Sequence, residues 1–278
     1  MSETFKVACV QTNTGHDVGV NITNVSALIR DAVKAGAELV VLPEVVNIMD
    51  LSRKALAEKT ELEDDDTTLR TYRALATELG VWILIGSLVI KHTVLDDKGL
   101  PKFANRSFLI NTAGEIVNRY DKIHMFDVDL DGGESYRESN AYEPGDKAVL
   151  ADLPWGKMGM TICYDLRFGH LYRHLAQQGA RFLAIPAAFT RPTGKAHWHV
   201  LMRARAIENG CFVFAAAQCG EHGGGRLTYG HSIIVDPWGV VLADGGTDTG
   251  FVIAEIDSGE VDRVRGKVPS LSHDRDFS

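Results

Sequence analysis

The sequence has no apolar run that could cross a membrane. Its most continuous apolar stretches, at residues 81–85 and 212–217, fall far short of the roughly 18 residues that span a bilayer. The polar residues after Met1 lead directly into a strand-like segment, without the basic and apolar regions of a signal peptide. We therefore expect a protein that does not enter membranes and that is located in the cytoplasm.

Cysteine is scarce, and basic residues are outnumbered by acidic ones. Four cysteines in 278 residues are too few for the disulfide framework of a small secreted protein, so we expect free thiols in a reducing compartment. Lys and Arg total 29 against 37 Asp and Glu, which leaves a formal net charge of −8. Because nucleic acids are bound through a basic surface, this balance excludes a general nucleic-acid-binding role. A small-molecule partner fits better.

Repeats and linkers are absent as well. The 27 Gly and 8 Pro residues follow no period, and a hydrophobic content of 45% is enough for a sizeable core. These values exclude a collagen-like or disordered chain. No change in composition and no segment rich in Pro, Gly or Ser divides the sequence. We therefore expect one domain over residues 1–278.

The pattern of apolar residues predicts strands that alternate with helices. Helical periodicity is seen at residues 21–35, 67–79, 171–178 and 196–209. Residues 105–111 and 115–120 flank a Thr-Ala-Gly turn and predict a hairpin. The strand at residues 81–87 is expected to end near Gly86, and residues 127–147 are expected to form a long polar loop. The pattern predicts sheets that are covered by helices on one face and packed on the other.

Three polar residues follow predicted strands. Cys163 lies where an apolar strand stops and a turn begins, a place where a side chain is lifted from the sheet edge and backbone N–H groups can bind an oxyanion. A buried structural cysteine is the alternative interpretation. Glu44 and Lys122 also follow strands, and each alone would be interpreted as a capping or surface residue. Together the three residues supply a nucleophile, a base and a cation.

The motifs around these residues resemble those of the nitrilase, or carbon–nitrogen hydrolase, superfamily. The matching segments are Leu42-Pro43-Glu44, Tyr120 to His124, Gly159 to Phe168, and more loosely Val7 to Gln11, Gly230 to Ser232 and Asp236 to Gly239. The resemblance covers nearly the whole chain. It implies an α/β fold, a four-layer α-β-β-α sandwich, with a Glu44–Lys122–Cys163 triad and a supporting glutamate at Glu138. It also implies a homodimer or larger homo-oligomer, paired through the helices at residues 169–178 and 196–209.

These side chains can account for amide hydrolysis. A thiol with a pKa of about 8.5 is mostly protonated at neutral pH, so it needs a base, for which Glu44 is the candidate. Lys122 and the backbone N–H of Tyr164 would stabilise the oxyanion. Glu44 would then protonate departing ammonia and activate the water that hydrolyses the thioester. Glu138 would orient Lys122 or this water. We expect neither a metal nor a cofactor.

Other arrangements explain fewer of these residues. His170 and His174 have the spacing of a zinc pair, but Leu171 stands where a metalloprotease has glutamate. The Gly-Gly-Gly run at residues 223–225 lacks the spacing and the lysine of a phosphate-binding loop. A papain-like Cys–His pair would leave the glutamate and lysine unexplained, and its candidate histidines are His197, His199 and His231. A catalytically silent binding protein is a further alternative, against which the complete triad argues.

Several later segments resemble the branch of the superfamily that hydrolyses deaminated glutathione. These segments lie at residues 187–189, 196–198, 203–209, 216–220 and 229–232. An ω-amidase, which acts on amides of 2-oxo dicarboxylic acids, is the alternative. Both substrates carry carboxylates, so basic residues should line the pocket. Arg191, Lys195 and Arg226 are expected to lie in loops near the active site and are the candidates for substrate binding.

Overall fold

The computed structural model describes residues 4–96, 99–129 and 135–275. In these ranges the strands are β1 (Thr4–Gln11), β2 (Leu39–Val41), β3 (Trp82–Leu95), β4 (Pro101–Ile110), β5 (Ile116–Asp121), β6 (Asp127–Asp129), β7 (Ser135–Arg137), β8 (Val149–Leu153), β9 (Gly156–Met160), β10 (Ala180–Ala184), β11 (Phe212–Ala215), β12 (Cys219–Glu221), β13 (Leu227–Tyr229), β14 (Ile233–Val235), β15 (Val241–Asp244) and β16 (Gly250–Asp257). The helices are α1 (Val18–Lys34), α2 (Arg53–Lys59), α3 (Thr67–Leu79), α4 (Gly169–Gln177), α5 (Arg191–Asn209) and α6 (Glu260–Lys267). None of these helices is both long and apolar enough to cross a membrane.

Two six-stranded sheets form the centre of the molecule. The first has the order β16-β1-β2-β3-β4-β5 and the second the order β15-β14-β11-β10-β9-β8. In the first sheet β1, β2 and β3 are parallel. β5 runs in their direction too, because β4 is antiparallel to both of its neighbours. In the second sheet β9, β10 and β11 are parallel. Residues that follow β2, β5 and β9 therefore leave their sheets at carboxyl ends, where open α/β sheets form their sites.

Alternation of side chains along β1 shows how the layers pack. Val7 and Cys9 belong to the core between the sheets, whereas Ala8 and Val10 pack with residues of α1 and α3 on the outer face. This period of two is the one that a strand buried on both faces requires. On the second sheet, α4 and α5 contact β9, β10 and β11. The layers are therefore helices, sheet, sheet, helices, and the structure confirms the four-layer α-β-β-α sandwich.

The structure corrects two expectations about elements near the site. β3 does not end near Gly86 but continues to Leu95, because the chain only bulges there before its pairing with β4 resumes at Leu88. Residues 127–147 are not one loop either. β6 and β7 form a small hairpin, and a short 3₁₀ turn follows at Glu138–Asn140. Strands of three residues are too short to show a hydrophobic period, so sequence analysis does not detect them.

Candidate active site

Glu44 is held in a strained turn that follows β2. The next residue, Val45, has a φ of +51°, a conformation in which a β-branched side chain is unfavourable. The turn is fixed to β3, because the hydroxyl of Ser87 accepts the N–H of Val45 at 2.8 Å and the N–H of Ser87 donates to the carbonyl of Pro43 at 3.2 Å. These contacts keep Glu44 in the interior, where it is 4% exposed.

Gly86 allows the loops of the two sheets to meet. A Cβ atom at Gly86 would lie 2.0 Å from the carbonyl oxygen of Leu42 and 2.5 Å from Cβ of Pro186. Pro186, which follows β10, accepts the N–H of Cys163 through its carbonyl at 2.8 Å. Because Gly86 has no side chain, the turn after β2 that contains Glu44 can approach the turn after β9 that contains Cys163.

Cys163 opens the turn after β9, as the sequence predicts. Its φ of +49° lies in the left-handed region, which is costly for a residue with a Cβ atom and persists only where the surroundings hold it. Cys163 is 7% exposed, and it lines the same cavity as Glu44, whose charge raises the pKa of the thiol. The nucleophile and base expected from the sequence thus line one cavity, and they come from different sheets.

Lys122 leaves β5 and lies in the interior, 2% exposed. Its Nζ donates to Oε1 of Glu44 at 3.0 Å and to both carboxylate oxygens of Glu138, at 3.0 and 2.8 Å. Glu138 also accepts the backbone N–H of Phe126 at 2.7 Å. Three hydrogen bonds account for all three protons of the ammonium group. The structure therefore brings together all four residues that the sequence singles out, Glu44, Lys122, Glu138 and Cys163.

Asn105 is a member of this cluster that sequence analysis missed. From β4 its Nδ2 donates to Oε1 of Glu44 at 2.9 Å and to Oε1 of Glu138 at 3.1 Å. A polar residue inside an otherwise apolar buried strand was the available signal, because buried amides need partners. The second carboxylate oxygen of Glu44 accepts the N–H of Ala188 at 2.8 Å. Both oxygens of Glu44 are therefore held in place.

Asp165 ties the Lys122 strand to the Cys163 turn and was also missed. Its carboxylate is 0% exposed and accepts the hydroxyl of Tyr120 at 2.6 Å. It also accepts the backbone N–H groups of His124 at 3.1 Å and of Ile162 at 2.8 Å. A buried carboxylate is tolerated when hydrogen bonds replace its hydration. These bonds lock the residues on either side of Lys122 to the start of the nucleophile turn.

The electrostatics of the cluster favour a neutral thiol beside two ionised partners. Burial and the charge of Glu44 raise the pKa of the Cys163 thiol well above its ordinary value, and Lys122 only partly offsets this. Burial by itself would raise the pKa of Glu44, but the charge of Lys122 and hydrogen bonds from Cys163, Lys122 and Asn105 outweigh it and lower that pKa. Burial likewise opposes the charge of Lys122, yet the two glutamates hold its pKa well above the usual range.

A cavity of about 470 Å³ opens over the cluster. Cys163, Glu44, Lys122 and Glu138 form its polar floor, and Tyr164 contributes to its wall. Apolar and aromatic side chains complete much of the lining, namely Ile48, Met49, Leu51, Phe126, Tyr136, Tyr142 and Phe189. A volume of this size and a mostly apolar wall with few polar groups are typical of small-molecule sites.

Of the three basic residues expected to bind substrate, the structure places one at the cavity. Arg226 lines it, donates to the carbonyl of Ala188 at 2.9 Å and lies over the ring of Tyr136, 5.6 Å from its centroid. Arg191 and Lys195 are exposed and do not line this cavity. The expectation that they lie in loops was wrong, since α5 begins at Arg191. The proline that follows Arg191 suits a first helical turn.

The histidine alternatives find no support in the described part of the chain. No histidine lines the cavity that contains Cys163. His199 and His231 hydrogen-bond to Asp244, and Nδ1 of His197 lies 3.4 Å from the guanidinium of Arg167. The residues at 223–225 form a short 3₁₀ turn. The cavity therefore contains a Cys–Glu–Lys cluster rather than a Cys–His pair.

Comparison with known sequences agrees with this geometry. The carbon–nitrogen hydrolase family matches residues 6–266. The chain is 38% identical to a deaminated glutathione amidase of Yersinia enterocolitica, over 97% of this chain and 92% of that protein. It is 41% identical to one of Synechocystis, over 97% of each. It is also 34% identical to the omega-amidase NIT2 of Bos taurus, over 98% of this chain and 95% of that protein.

Solved structures lead to the same family. The NitFhit protein of C. elegans superposes with a TM-score of 0.89 at 35% identity, covering 98% of this chain and 65% of that longer one. Nit3 of Saccharomyces cerevisiae, a member of the nitrilase superfamily, superposes with a TM-score of 0.84 at 30% identity, over 99% of this chain and 97% of that one. The chain therefore belongs to the carbon–nitrogen hydrolase family and is a hydrolase acting on carbon–nitrogen bonds other than peptide bonds.

Proposed function

We propose that the protein is an amidase in which Cys163 is the nucleophile, Glu44 the general base and acid, and Lys122 the cation at the oxyanion. One observation carries this proposal. Among the described residues, Cys163 is the one thiol that lines the cavity, and it shares this cavity with the carboxylate of Glu44, which is itself paired with the buried ammonium of Lys122. Buried nucleophile, base and cation in mutual contact are what acyl transfer requires.

The first half-reaction forms a thioester. The thiol proton moves to Glu44 while the sulfur of Cys163 attacks the amide carbonyl, which gives a tetrahedral intermediate with a negative oxygen. The low pKa of Glu44 keeps it ionised and ready to accept this proton. Glu44 then returns the proton to the amide nitrogen, the carbon–nitrogen bond breaks, and the amine departs, which is ammonia when the substrate is a primary amide. The raised pKa of Cys163 means that proton transfer must accompany attack, because little thiolate exists beforehand.

Lys122 keeps the charge of the site balanced during this step. At rest the cluster contains one ammonium and two carboxylates, from Glu44 and Glu138. When Glu44 becomes protonated, its electrostatic attraction for the Lys122 ammonium weakens, and at the same moment the substrate oxygen becomes negative. The ammonium can therefore exchange one anionic partner for another without moving far, and Glu138 keeps it in position. The N–H of Tyr164, at the start of the same turn as Cys163, is the second donor that we propose for the oxyanion.

The second half-reaction releases the acid. Glu44, ionised again after the amine has left, takes a proton from a water molecule, and the resulting hydroxide attacks the thioester carbonyl. The tetrahedral intermediate collapses, the carbon–sulfur bond breaks, and the thiolate recovers its proton from Glu44. Glu138 is the residue that orients Lys122 throughout. No step calls for a metal or an organic cofactor.

We infer that the substrate is deaminated glutathione. Relatives of that name are 38% and 41% identical to this chain over 97% of its length, which supports the inference. The omega-amidase relative, at 34% identity, makes 2-oxoglutaramate the second candidate. Both molecules present a carboxylate away from the reacting carbonyl. Because the two molecules differ in length, residues of the cavity wall remote from Cys163 must determine which of them has the higher kcat/KM.

Arg226 is the residue that we assign to that remote carboxylate. Its Nε is buried and has no hydrogen-bond partner among the described residues. Its guanidinium is held by Ala188 and by the Tyr136 ring, so little side-chain freedom would be lost on binding. A carboxylate bound by arginine makes charge-assisted hydrogen bonds, which are the stronger kind.

Release of the free acid from a panel of amides tests the proposal, because deaminated glutathione has only secondary amides and yields an amine, whereas primary amides such as 2-oxoglutaramate yield ammonia. We expect turnover of deaminated glutathione with a higher kcat/KM than 2-oxoglutaramate. Arg226→Gln should lower kcat/KM for the preferred substrate by roughly 10- to 100-fold, the effect of losing one charge-assisted bond. Arg191→Gln, which removes an exposed arginine outside the cavity, is the matched control. Preference for 2-oxoglutaramate would reassign the enzyme as an ω-amidase, and no turnover of any amide would favour a silent binding protein.

We further infer that the protein assembles as a homodimer or larger homo-oligomer. Large apolar side chains are exposed on α5, on the turn before β15 and on β15 itself, namely Val200, Ile207, Trp238, Val240 and Leu242. The two parts adjoin, because Arg203 of α5 donates to the carbonyl of Gly239 at 2.8 Å. Clustered apolar exposure of this kind is typical of contact surfaces. The single domain over residues 1–278 and the cytoplasmic location stay predictions from the sequence.

A further inference from the structure

A second cluster of chemically reactive side chains lies outside the cavity. His199 comes from the middle of α5, His231 from the link between β13 and β14, and Asp244 from the end of β15. Nε2 of His199 lies 2.8 Å from Oδ2 of Asp244, and Nδ1 of His231 lies 2.8 Å from Oδ1. One potential ligand atom from each residue falls within 4.8 Å of the others. None of the three residues lines the cavity over Cys163.

The cluster is held in shape by its surroundings. His231 has a φ of +58°, an unfavourable conformation for a residue other than glycine. Two hydrogen bonds to the backbone of His231 fix this conformation. The N–H of His231 donates to the carbonyl of Gly246 at 2.6 Å, and the indole N–H of Trp198 donates to the carbonyl of His231 at 2.8 Å. The imidazole of His231 stacks on the ring of Tyr229, with centroids 4.4 Å apart. Strain that the fold maintains in this way is often associated with a site.

We propose that His199, His231 and Asp244 form a binding site for a divalent transition metal such as Zn²⁺. Two imidazoles and one carboxylate are a usual ligand set for zinc, with a water molecule in the fourth position. Ligand atoms about 2.0–2.2 Å from a tetrahedral ion lie roughly 3.3 Å apart, so the present separations need side-chain adjustments on the order of 1 Å. This site departs from the expectation, drawn from the sequence, that the protein holds no metal.

Binding would follow directly from the present hydrogen bonds. Where a ring nitrogen now donates to Asp244, the neutral imidazole moves its proton to its other nitrogen, and the freed lone pair binds the metal. No net charge leaves the protein in that exchange. The carboxylate keeps its role as the central anion, which offsets part of the charge of the ion. A bound metal would connect α5 to β15, two elements that meet at the edge of the second sheet, and would therefore stabilise the fold rather than take part in hydrolysis.

Zinc titration calorimetry tests this site. The titration uses metal-free protein carrying Cys163→Ala, so that zinc binding to the catalytic thiol does not contribute. We expect one equivalent of Zn²⁺ to bind with a dissociation constant near or below about a micromolar. His199→Gln and Asp244→Asn in the same background should each weaken binding at least tenfold, because each removes one of three ligands. His174→Ala, which removes an exposed histidine of α4, is the matched control and should bind as the parent does.

Cobalt supplies a second readout, and light scattering a third. Co²⁺ at this site should give the visible d–d bands of tetrahedral coordination without a thiolate charge-transfer band. Circular dichroism checks that each variant is folded. If His199→Gln is not folded, His231→Gln replaces it as the ligand variant. Absence of binding, undiminished binding in the ligand variants, or a thiolate band would each overturn the proposal. Binding that appears only with an increase over the mass of the metal-free assembly would place the metal between two copies and would overturn it as a site within one chain.

Discussion

Cys163 has two features that a catalytic nucleophile would require and that the stability of the fold does not require. Its backbone lies in the left-handed region, and its thiol is buried against the carboxylate of Glu44. A core cysteine kept only for packing needs neither. The conformation raises the side chain from the end of β9 toward the cavity, where the substrate carbonyl would lie.

Replacement of Cys163 by alanine should abolish amide hydrolysis and leave the fold intact. Removing one sulfur atom at the cavity wall costs little packing, whereas the acyl acceptor is lost. Circular dichroism measures the fold, and release of the free acid from the amide substrate measures hydrolysis. Mass spectrometry of the unmodified enzyme with a slow substrate should show the acyl group on the peptide that contains Cys163. Cys219→Ala, which changes a buried cysteine outside the cavity, should keep both activity and adduct. An adduct on another cysteine would contradict the mechanism.

Glu44→Gln and Lys122→Ala should each lower kcat by about 10³-fold or more, since one removes proton transfer and the other removes charge stabilisation. They should differ in stability. Glu44→Gln keeps a side chain of the same shape, whereas Lys122→Ala leaves the buried carboxylate of Glu44 and the partly buried one of Glu138 without their cation, which costs roughly 3 kcal/mol. Denaturant titration measures this difference.

The double variant Lys122→Met with Glu138→Gln separates the two roles of Lys122. It removes one positive and one negative charge, so we expect it to recover much of the lost stability and none of the lost activity. Activity of Lys122→Ala within tenfold of the unmodified enzyme would mean that the lysine does not act on the oxyanion.

At the scale of elements, the site depends on how closely β3 approaches the Glu44 turn. Gly86 lies inside β3 at a bulge. The carbonyl oxygens of Leu42 and Pro43 and the ring of Pro186 occupy the space that a side chain at Gly86 would need. An interior glycine weakens a strand. Its presence here is explained by the contact between two loops rather than by the sheet.

Gly86→Ala should therefore destabilise the protein by about 3 kcal/mol, because a Cβ atom would lie 2.0 and 2.4 Å from two backbone oxygens. Activity should fall further than stability accounts for, since the loops that carry Glu44 and Cys163 must separate. Thermal unfolding and kcat/KM under folded conditions measure these effects. Gly266→Ala in α6, where a Cβ atom would meet nothing within 4 Å, is the control and should not lower either value.

Asp66 caps the N-terminus of α3 at a cost that depends on pH. Its carboxylate accepts the N–H of Leu69 at 2.7 Å while only 3% exposed, and burial raises its pKa to about 6. A carboxyl whose pKa is higher in the folded state binds its proton more tightly there. It therefore stabilises the fold at acidic pH, and that contribution is lost as pH rises through about 6.

Asp66→Asn should raise the free energy of unfolding by about 2 kcal/mol at pH 7.5, because asparagine caps equally well and carries no charge. The gain should shrink as pH falls toward 5, where the carboxyl of the unmodified protein is protonated. Denaturant unfolding at the two pH values measures it. Asp17→Asn, at the exposed cap of α1, should show no such pH-dependent gain. A loss of stability at pH 7.5 would show that the Asp66 charge is needed at the cap.

At the scale of the whole molecule, the proposed assembly follows from apolar surface that one chain leaves uncovered. Light scattering at micromolar concentration should give a mass near twice the 30.4 kDa of the chain, or a larger multiple. Val200→Asp, on the exposed face of α5, should shift the mass toward that of one chain, because a buried charge in an interface is costly. Val94→Asp, an equally exposed valine at the end of β3, is the control. A mass of 30.4 kDa for the unmodified protein would refute the assembly.

The sequence alone determined which side chains stand at the ends of strands. Apolar runs of period two and 3.6 depend on local burial, so they predicted α3 with its observed bounds and the β4–β5 hairpin. The motifs around Glu44, Lys122 and Cys163 identified the family for the same reason, since each is a local pattern. The sequence did not predict β6 and β7, because strands of three residues are too short to show a hydrophobic period. It also did not predict the start of α5, because the residues Arg-Pro-Thr-Gly show no helical pattern of apolar side chains.

Only the tertiary structure decided how those side chains meet. Glu44 and Lys122 come from one sheet and Cys163 from the other, and the close approach at Gly86 that joins them spans residues far apart in the chain. Packing of the two sheets also placed Asn105 and Asp165 among the charged groups, and it put Arg226, but not Arg191, at the cavity. Burial together with the charges of Glu44, Lys122 and Glu138 set the ionisation of the site. These properties depend on distances between distant segments, which a local pattern of residue types does not contain.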